Sequence, residues 1–180
     1  CQAVADVLTI QEQFGRLNRV TIGYIGDGNN VLHSLAQAAA RLGSHLQVAT
    51  PPTYRPEKAI WTDAAASARA HGGSLSWSAD PRAAAKGADV LYTDVWTSMG
   101  QERERRARRR AFTGFQITTQ LLKLAAPRCV VMHCLPAHRG EEIAADVFES
   151  RRSVVFDQAE NRLHAQKALL ILLLTRKARV

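Results

Sequence analysis

Cysteine is scarce in this sequence: Cys1, Cys129 and Cys134 are all that 180 residues contain, an odd number with no C-x-x-C pair. That count and spacing argue against a disulfide framework or a structural zinc knuckle, and they predict a reducing compartment. Long apolar runs are missing too. The longest, Ala168–Leu174, falls far short of the roughly 20 residues that span a bilayer, and no secretory signal pattern opens the chain. A cytoplasmic protein that does not enter a membrane is expected. Acidic residues number 16 against 24 Lys and Arg, a formal net charge of +8. With 46% hydrophobic and 22% charged residues, the composition excludes collagen, coiled-coil, low-complexity and disordered classes. The length suits one domain around a single core. The chain opens at Cys1 and not at a methionine, as expected of a processed chain or of a piece of a longer one.

The excess of positive charge raises a nucleic-acid or membrane-surface reading until it is located. Within Gln101–Arg110 six arginines (Arg103, Arg105, Arg106, Arg108, Arg109, Arg110) face two acids, Glu102 and Glu104. Half the net charge therefore sits in one short segment. Glu102/Arg106 and Glu104/Arg108 stand at i,i+4, the spacing of an exposed helix supported by ion pairs. No aromatic residues are interleaved for base stacking, so a solvated surface is favoured over nucleic-acid contact.

Short β-branched runs alternate with helical periodicity. Thr21–Ile25, His45–Ala49, Ser74–Trp77, Asp89–Thr93 and Arg128–His133 read as buried strands, with Ser153–Phe156 as a last short one. Helices are expected over Cys1–Phe14, Asn30–Leu42, Pro56–Ala70, Asp80 to about Lys86 and Gln116–Ala125. A final helix is expected from Asp157, whose spacing to Glu160 resembles a capping box. Such alternation predicts an α/β fold: a parallel, Rossmann-like sheet of about five strands with helices on both faces. The two ends are unusual. Cys1–Phe14 has no strand before it, and Ala168–Leu174 is apolar all round where a helix on a sheet should be amphipathic. Both are expected to meet a surface outside this chain.

Ligands of parallel sheets bind beyond the strands' carboxyl ends, which selects four loops: residues 26–30, 50–52, 94–100 and 134–139. In Gly26-Asp27-Gly28-Asn29-Asn30 the third glycine of a dinucleotide fingerprint is replaced by Val31, and no acid follows the second strand. Asn30 can donate to a carboxylate at a helix N-terminus, or Asn29 or Asn30 can simply cap that helix. Asp94, with Ser98 four residues on, suits an ammonium group, or caps the next helix. Cys134 follows a strand, where a metal site with His133 and His138 or an inert thiol are the alternatives. Cys129 is read as an inert thiol. Arg162, read as lying in the first turn of the last helix, opposes the dipole unless it points into solvent or meets an anion.

Four segments, IGDGNNVLHSL, DVWTSMGQE, HCLPAHRGEE and AENRLHAQKA, in this order and spacing, resemble the second half of the ornithine carbamoyltransferase family, the ornithine transcarbamylases. Cys1-Gln2 matches the end of the family's H-P-x-Q motif. The family's first half, with its S-T-R-T-R carbamoyl-phosphate loop, is not in the sequence. The resemblance implies an interdomain helix over residues 1–15, an ornithine-binding α/β domain over 16–156, and a C-terminal helix over 157–180 that packs on the other half.

By that resemblance Asn30 and the Met99 backbone would hold the carboxylate of L-ornithine, and Asp94 and Ser98 its α-amino group. Cys134 and Leu135 would lie beside the reacting groups, with a cis Leu135-Pro136 bond, and Gln2 and Arg162 would reach carbamoyl phosphate. Cys134, Asp94 and Arg162 are then the expected catalytic residues. The implied reaction transfers the carbamoyl group to the neutral δ-amine, giving citrulline and phosphate with no metal or organic cofactor, and it implies a basic pH optimum. Cys134 is expected to orient or to accept a proton, not to act as a covalent nucleophile. The family's homotrimer is implied only for the full-length enzyme, and little activity is expected of this chain alone. A transcarbamylase of another amine, such as putrescine or an acetylated ornithine, and a basic nucleic-acid-binding module are the alternatives. The S-M-G motif favours ornithine.

Overall fold

A computed structural model of the chain describes residues 1–98 and 100–175. Helix α1 (Gln2–Phe14) precedes a repeating strand-helix series: β1 (Thr21–Ile25), α2 (Asn30–Arg41), β2 (His45–Ala49), α3 (Lys58–Ala70), β3 (Ser74–Ser78), α4 (Pro81–Ala85) and β4 (Val90–Thr93). A 3-10 turn at Glu102–Glu104 leads into α5 (Arg105–Ala111), followed by α6 (Thr119–Leu122), β5 (Val130–His133), α7 (Ala145–Phe148) and the long α8 (Val155–Thr175). The five strands form one sheet in the order β3-β2-β1-β4-β5, and every pairing is parallel. The expected fold class is the observed one.

Alternation along the strands splits the core into two layers. Ile22, Tyr24, Val90, Tyr92 and Met132 pack with Leu32, Leu35, Ala39, Ala64 and Ile10, the faces of α1, α2 and α3. Ile25, Leu91 and Val131 pack on the other side with Ala84, Ala85, Phe112, Leu121 and Phe148. On that second face Gly23 lets α4 approach the sheet directly, for a Cβ there would lie 2.3 Å from the Ala84 carbonyl oxygen.

Two elements differ from expectation. Ser153–Phe156 is not a strand: Ser153 makes one isolated parallel bridge to Val131, and α8 begins at Val155. Val154 and Val155 are buried, and a short apolar run reads the same whether strand or helix hides it. Arg162 therefore lies beyond the first turn of α8, and the conflict with the helix dipole does not arise. The helix expected over Gln116–Ala125 is only the single turn α6. Ile117 is extended instead, its N–H donating to the Glu142 carbonyl at 2.9 Å and its own carbonyl accepting from Ala144 at 3.0 Å.

The terminal helices pack against each other. Asn161 donates to Thr9 Oγ1 at 3.0 Å and to Glu12 at 2.6 Å. Beyond this contact Leu163 and the run Leu169–Leu174 remain exposed, Leu174 by 83%. Among the described residues no helix is long and apolar enough to cross a membrane. Replacing Gly23 with alanine should drive a methyl group into α4 and lower stability by about 1–3 kcal/mol, read as a fall in the urea midpoint at unchanged slope.

Candidate functional site

Strand order reverses between β1 and β4, because α2 carries the chain towards β3 on one side of β1 and the later crossover returns it to the other. The loops after β1 and β4 part there, and the loop after β5 closes the same end. A cleft of about 540 Å³ lies in this fork, lined by Asn30, Asp94, Ser98, Cys134, Leu135 and, from the terminal helices, Gln2 and Arg162. The structure thus brings together every expected site residue within the described range. Met99 lies outside the described residues.

The turn after β1 is built by two asparagines with separate tasks. Asn29 is the cap, its Oδ1 accepting from Val31 N at 3.0 Å and Leu32 N at 3.2 Å. Asn30, the first residue of α2, lines the cleft beside the positive end of the helix dipole. The glycines serve the fold and not a pyrophosphate. Gly28 N donates to the Tyr54 carbonyl at 3.0 Å, and a Cβ on Gly28 would stand 2.4 Å from the Arg55 carbonyl carbon.

Asp94 is the centre of the polar cluster. Its carboxylate accepts from Asn29 Nδ2 at 2.7 Å, from Val95 N at 2.7 Å and from Cys134 Sγ at 2.9 Å. Three of about four lone-pair sites are used, leaving acceptor capacity towards the cleft. Burial, and then the charge and hydrogen bond of Asp94, push the Cys134 pKa far above its ordinary value. The group is therefore held as a neutral thiol that donates to Asp94. Cys129 is buried and its thiol is pushed up to about 12 by burial, as the inert reading requires.

The loop after β5 is shaped by His133, which is fully buried. Its Nδ1 accepts from Leu135 N at 2.9 Å while Nε2 faces Glu142 Oε1 at 3.1 Å, so the proton sits on Nε2. Both ring nitrogens are occupied, which removes His133 from any metal site with Cys134 and His138. Leu135 adopts a positive φ of 54°, and the Leu135-Pro136 bond is cis, as the resemblance implied.

The arginine segment contradicts its expected character at one position. Arg108 is buried: it donates to Asp27 at 2.7 Å, to the Trp96 carbonyl at 3.0 Å and to Glu104 at 3.0 Å. Its guanidinium lies 4.7 Å above the Tyr54 ring. Arg108 thereby ties the turn after β1 to both flanks of the loop carrying Ser98. Of the two expected i,i+4 pairs Glu104–Arg108 forms, while Glu102 accepts from Gly100 N instead. Arg105 pairs with Glu141 at 2.7 Å, and the remaining arginines of the segment are exposed. Sequence reasoning missed Arg108, because nothing in an arginine run distinguishes the one that turns inward. It also missed the service of Asn29 to Asp94, although an asparagine before a helix was signal enough to suspect a cap.

A family described as aspartate/ornithine carbamoyltransferase, Asp/Orn binding domain, matches residues 18–173. The chain belongs to this family. The ornithine carbamoyltransferase of Acidothermus cellulolyticus is 58% identical over 174 residues, 97% of this chain and 56% of that protein. That of Symbiobacterium thermophilum is 52% identical over the same shares. Among solved structures the ornithine carbamoyltransferase of Pyrococcus furiosus is similar with a TM-score of 0.91 at 53% identity, covering 96% of this chain and 55% of that one. The chain spans about half the length of the curated relatives it matches. In this Asp/Orn binding domain the four quoted motifs are thus the four strand-end or helix segments that meet at the cleft.

Two outcomes test the geometry. Arg108→Met leaves Asp27 buried and unpaired and should cost about 3–5 kcal/mol, whereas Arg106→Met on the exposed face should stay within about 0.5 kcal/mol, both read by chemical denaturation. Iodoacetamide at mildly alkaline pH should label Cys1 well before Cys134. Asp94→Asn should speed labelling of Cys134 about tenfold for each unit its pKa falls, with mass spectrometry as the readout.

Proposed function

We propose that this chain is the ornithine-binding half of an ornithine carbamoyltransferase, acting with a carbamoyl-phosphate half to form citrulline and phosphate. The observation that carries the reading is the convergence of Asn30, Asp94, Ser98, Cys134 and Arg162 on one cleft at the sheet's reversal point, in a chain of this family. Residues 1–15 and 157–180 are read as the interdomain and C-terminal helices, and 16–156 as the ornithine-binding domain. The exposed leucines of α8 support a covering surface on the other half, where water would be excluded from them. The full-length enzyme is read as a cytoplasmic homotrimer.

Chemically, the α-carboxylate of L-ornithine is proposed to sit at the N-terminus of α2, where Asn30 donates and the dipole favours an anion. Its α-ammonium then meets the remaining acceptor capacity of Asp94 and the Ser98 hydroxyl, while the Met99 backbone is the second carboxylate ligand that the resemblance implies. So held, the side chain extends towards Cys134 and Leu135, where the neutral δ-amine attacks the carbamoyl carbon and phosphate leaves. A thiol that stays protonated puts no negative charge beside that amine and so does not favour its protonation, which suits the reaction. Orientation of two bound reactants can supply about 7–11 kcal/mol of the barrier. Arg162 and Gln2 are proposed to meet the carbamoyl phosphate, adding positive charge where negative charge develops.

Calorimetry should detect L-ornithine binding to the chain, and Asp94→Asn should weaken it by at least about tenfold, near 1.4 kcal/mol. Putrescine, which lacks the carboxylate and α-amine, should compete poorly. With the complementary half supplied, citrulline should accumulate. No heat with ornithine and no citrulline in the mixed assay would remove the proposal.

A further inference from the structure

Asp6 is a fully buried acid on α1 whose hydrogen-bond donors are neutral groups. Three donors meet its carboxylate: Gln2 Nε2 at 2.8 Å, Gln158 Nε2 at 2.7 Å and the Tyr92 hydroxyl at 3.1 Å. Gln158, also fully buried, is locked from its other end because its Oε1 accepts from His133 N at 2.8 Å. Tyr92 belongs to the central strand β4. Only Gln2 reaches out of this web. With its amide nitrogen held by Asp6, its Oε1 is directed to Arg162, whose NH1 donates to it at 3.0 Å. Carboxylate, amide and guanidinium form one oriented relay from the core to the cleft, joining α1, α8, β4 and the start of the Cys134 loop.

We infer that Asp6 is a positioning residue for the anionic end of the site, fixing the Gln2 amide and through it the Arg162 guanidinium. This rests on the reading of Gln2 and Arg162 as the groups that meet carbamoyl phosphate. The direction of each hydrogen bond carries the argument. An ionised Asp6 accepts from all three donors and compels Gln2 to present oxygen to Arg162. Once protonated, Asp6 needs an acceptor, and Gln2 is the neighbour free to turn: Gln158 is held by His133, and the Tyr92 hydroxyl oxygen already accepts from Gln158 Nε2 at 3.2 Å. A turned amide would present its NH2 to the guanidinium, and the relay would break.

The ionisable groups facing Asp6 are Tyr92 from β4, Arg162 from α8 and Cys134 beyond β5. Burial, opposed by the three hydrogen bonds and by Arg162, raises the Asp6 pKa to about 6. The relay is therefore intact above that pH and lost below it.

The test follows the Gln2 side-chain amide and the Arg162 Nε–H of the 15N-labelled chain by NMR across that range. Both signals should move with one shared inflection, and both should become independent of pH in Asp6→Asn, which imitates the protonated acid. If Asp6→Asn does not fold, Tyr92→Phe removes one donor from the carboxylate and should move the shared inflection upwards. Signals that move independently, or an inflection that survives Asp6→Asn or ignores Tyr92→Phe, would overturn the inference. In the mixed citrulline assay Asp6→Asn should raise KM for carbamoyl phosphate about tenfold and leave KM for ornithine unchanged. A shared inflection with no change in the carbamoyl-phosphate KM upholds the relay and overturns the assignment of Gln2 and Arg162 to that substrate.

Discussion

Parallel pairing is the constraint from which the rest of this molecule follows. Five strands that all run one way deliver all their carboxyl ends to one edge, and each return requires a crossover that covers a face of the sheet. Where the order reverses beside β1, two successive crossovers go opposite ways and the loops separate into a fork. The cleft is the direct result. Helix N-termini, with their unsatisfied N–H groups and positive dipole ends, open at the same edge, so an anionic group is favoured there before any side chain is chosen.

A fork lined by loops would be floppy if the loops were not tied from below. Here each is anchored by a buried polar group whose partners are remote in sequence. Arg108 binds Asp27 across 81 residues, Gln158 reaches Asp6 across 152, and Asn29 steadies Asp94 across 65. Buried polar groups are costly unless satisfied, and a satisfied group admits few alternative geometries. The turn before α2 and the loop that carries Cys134 therefore acquire defined positions although they lack regular structure. The thiol of Cys134 illustrates the effect. Its neutrality comes from burial and from the carboxylate next to it, neither of which is a property of cysteine itself.

The comparison between sequence and structure divides along the same line. Thr21–Ile25 and His45–Ala49 were legible to the residue, because each is a short, mainly apolar run between turn signals in an alternating strand-helix pattern. Val154-Val155-Phe156 is also a short apolar run, yet it leads into α8, which begins at Val155, since burial on a helix and burial in a strand select the same side chains. Gln116–Ala125 has helical composition, yet Ile117 is drawn into a bridge with Ile143 that no local rule foresees. Of the site, Asn30, Asp94 and Cys134 were accessible from their place after strands. Arg108 was hidden among identical neighbours, and Asp6 lay inside a helix that looked merely amphipathic.

The sequence by itself determined the order and type of the main elements, the parallel class of the sheet and the loops at which chemistry would gather. Those properties depend on local periodicity, turn residues and the handedness of crossovers, all of which are written in neighbouring residues. Only the tertiary structure decided which asparagine caps and which faces the cleft, which arginine is buried, and how Asp6 reaches Arg162 through Gln2. Each of those is settled by the distance between groups far apart in the chain and by the exclusion of water from between them.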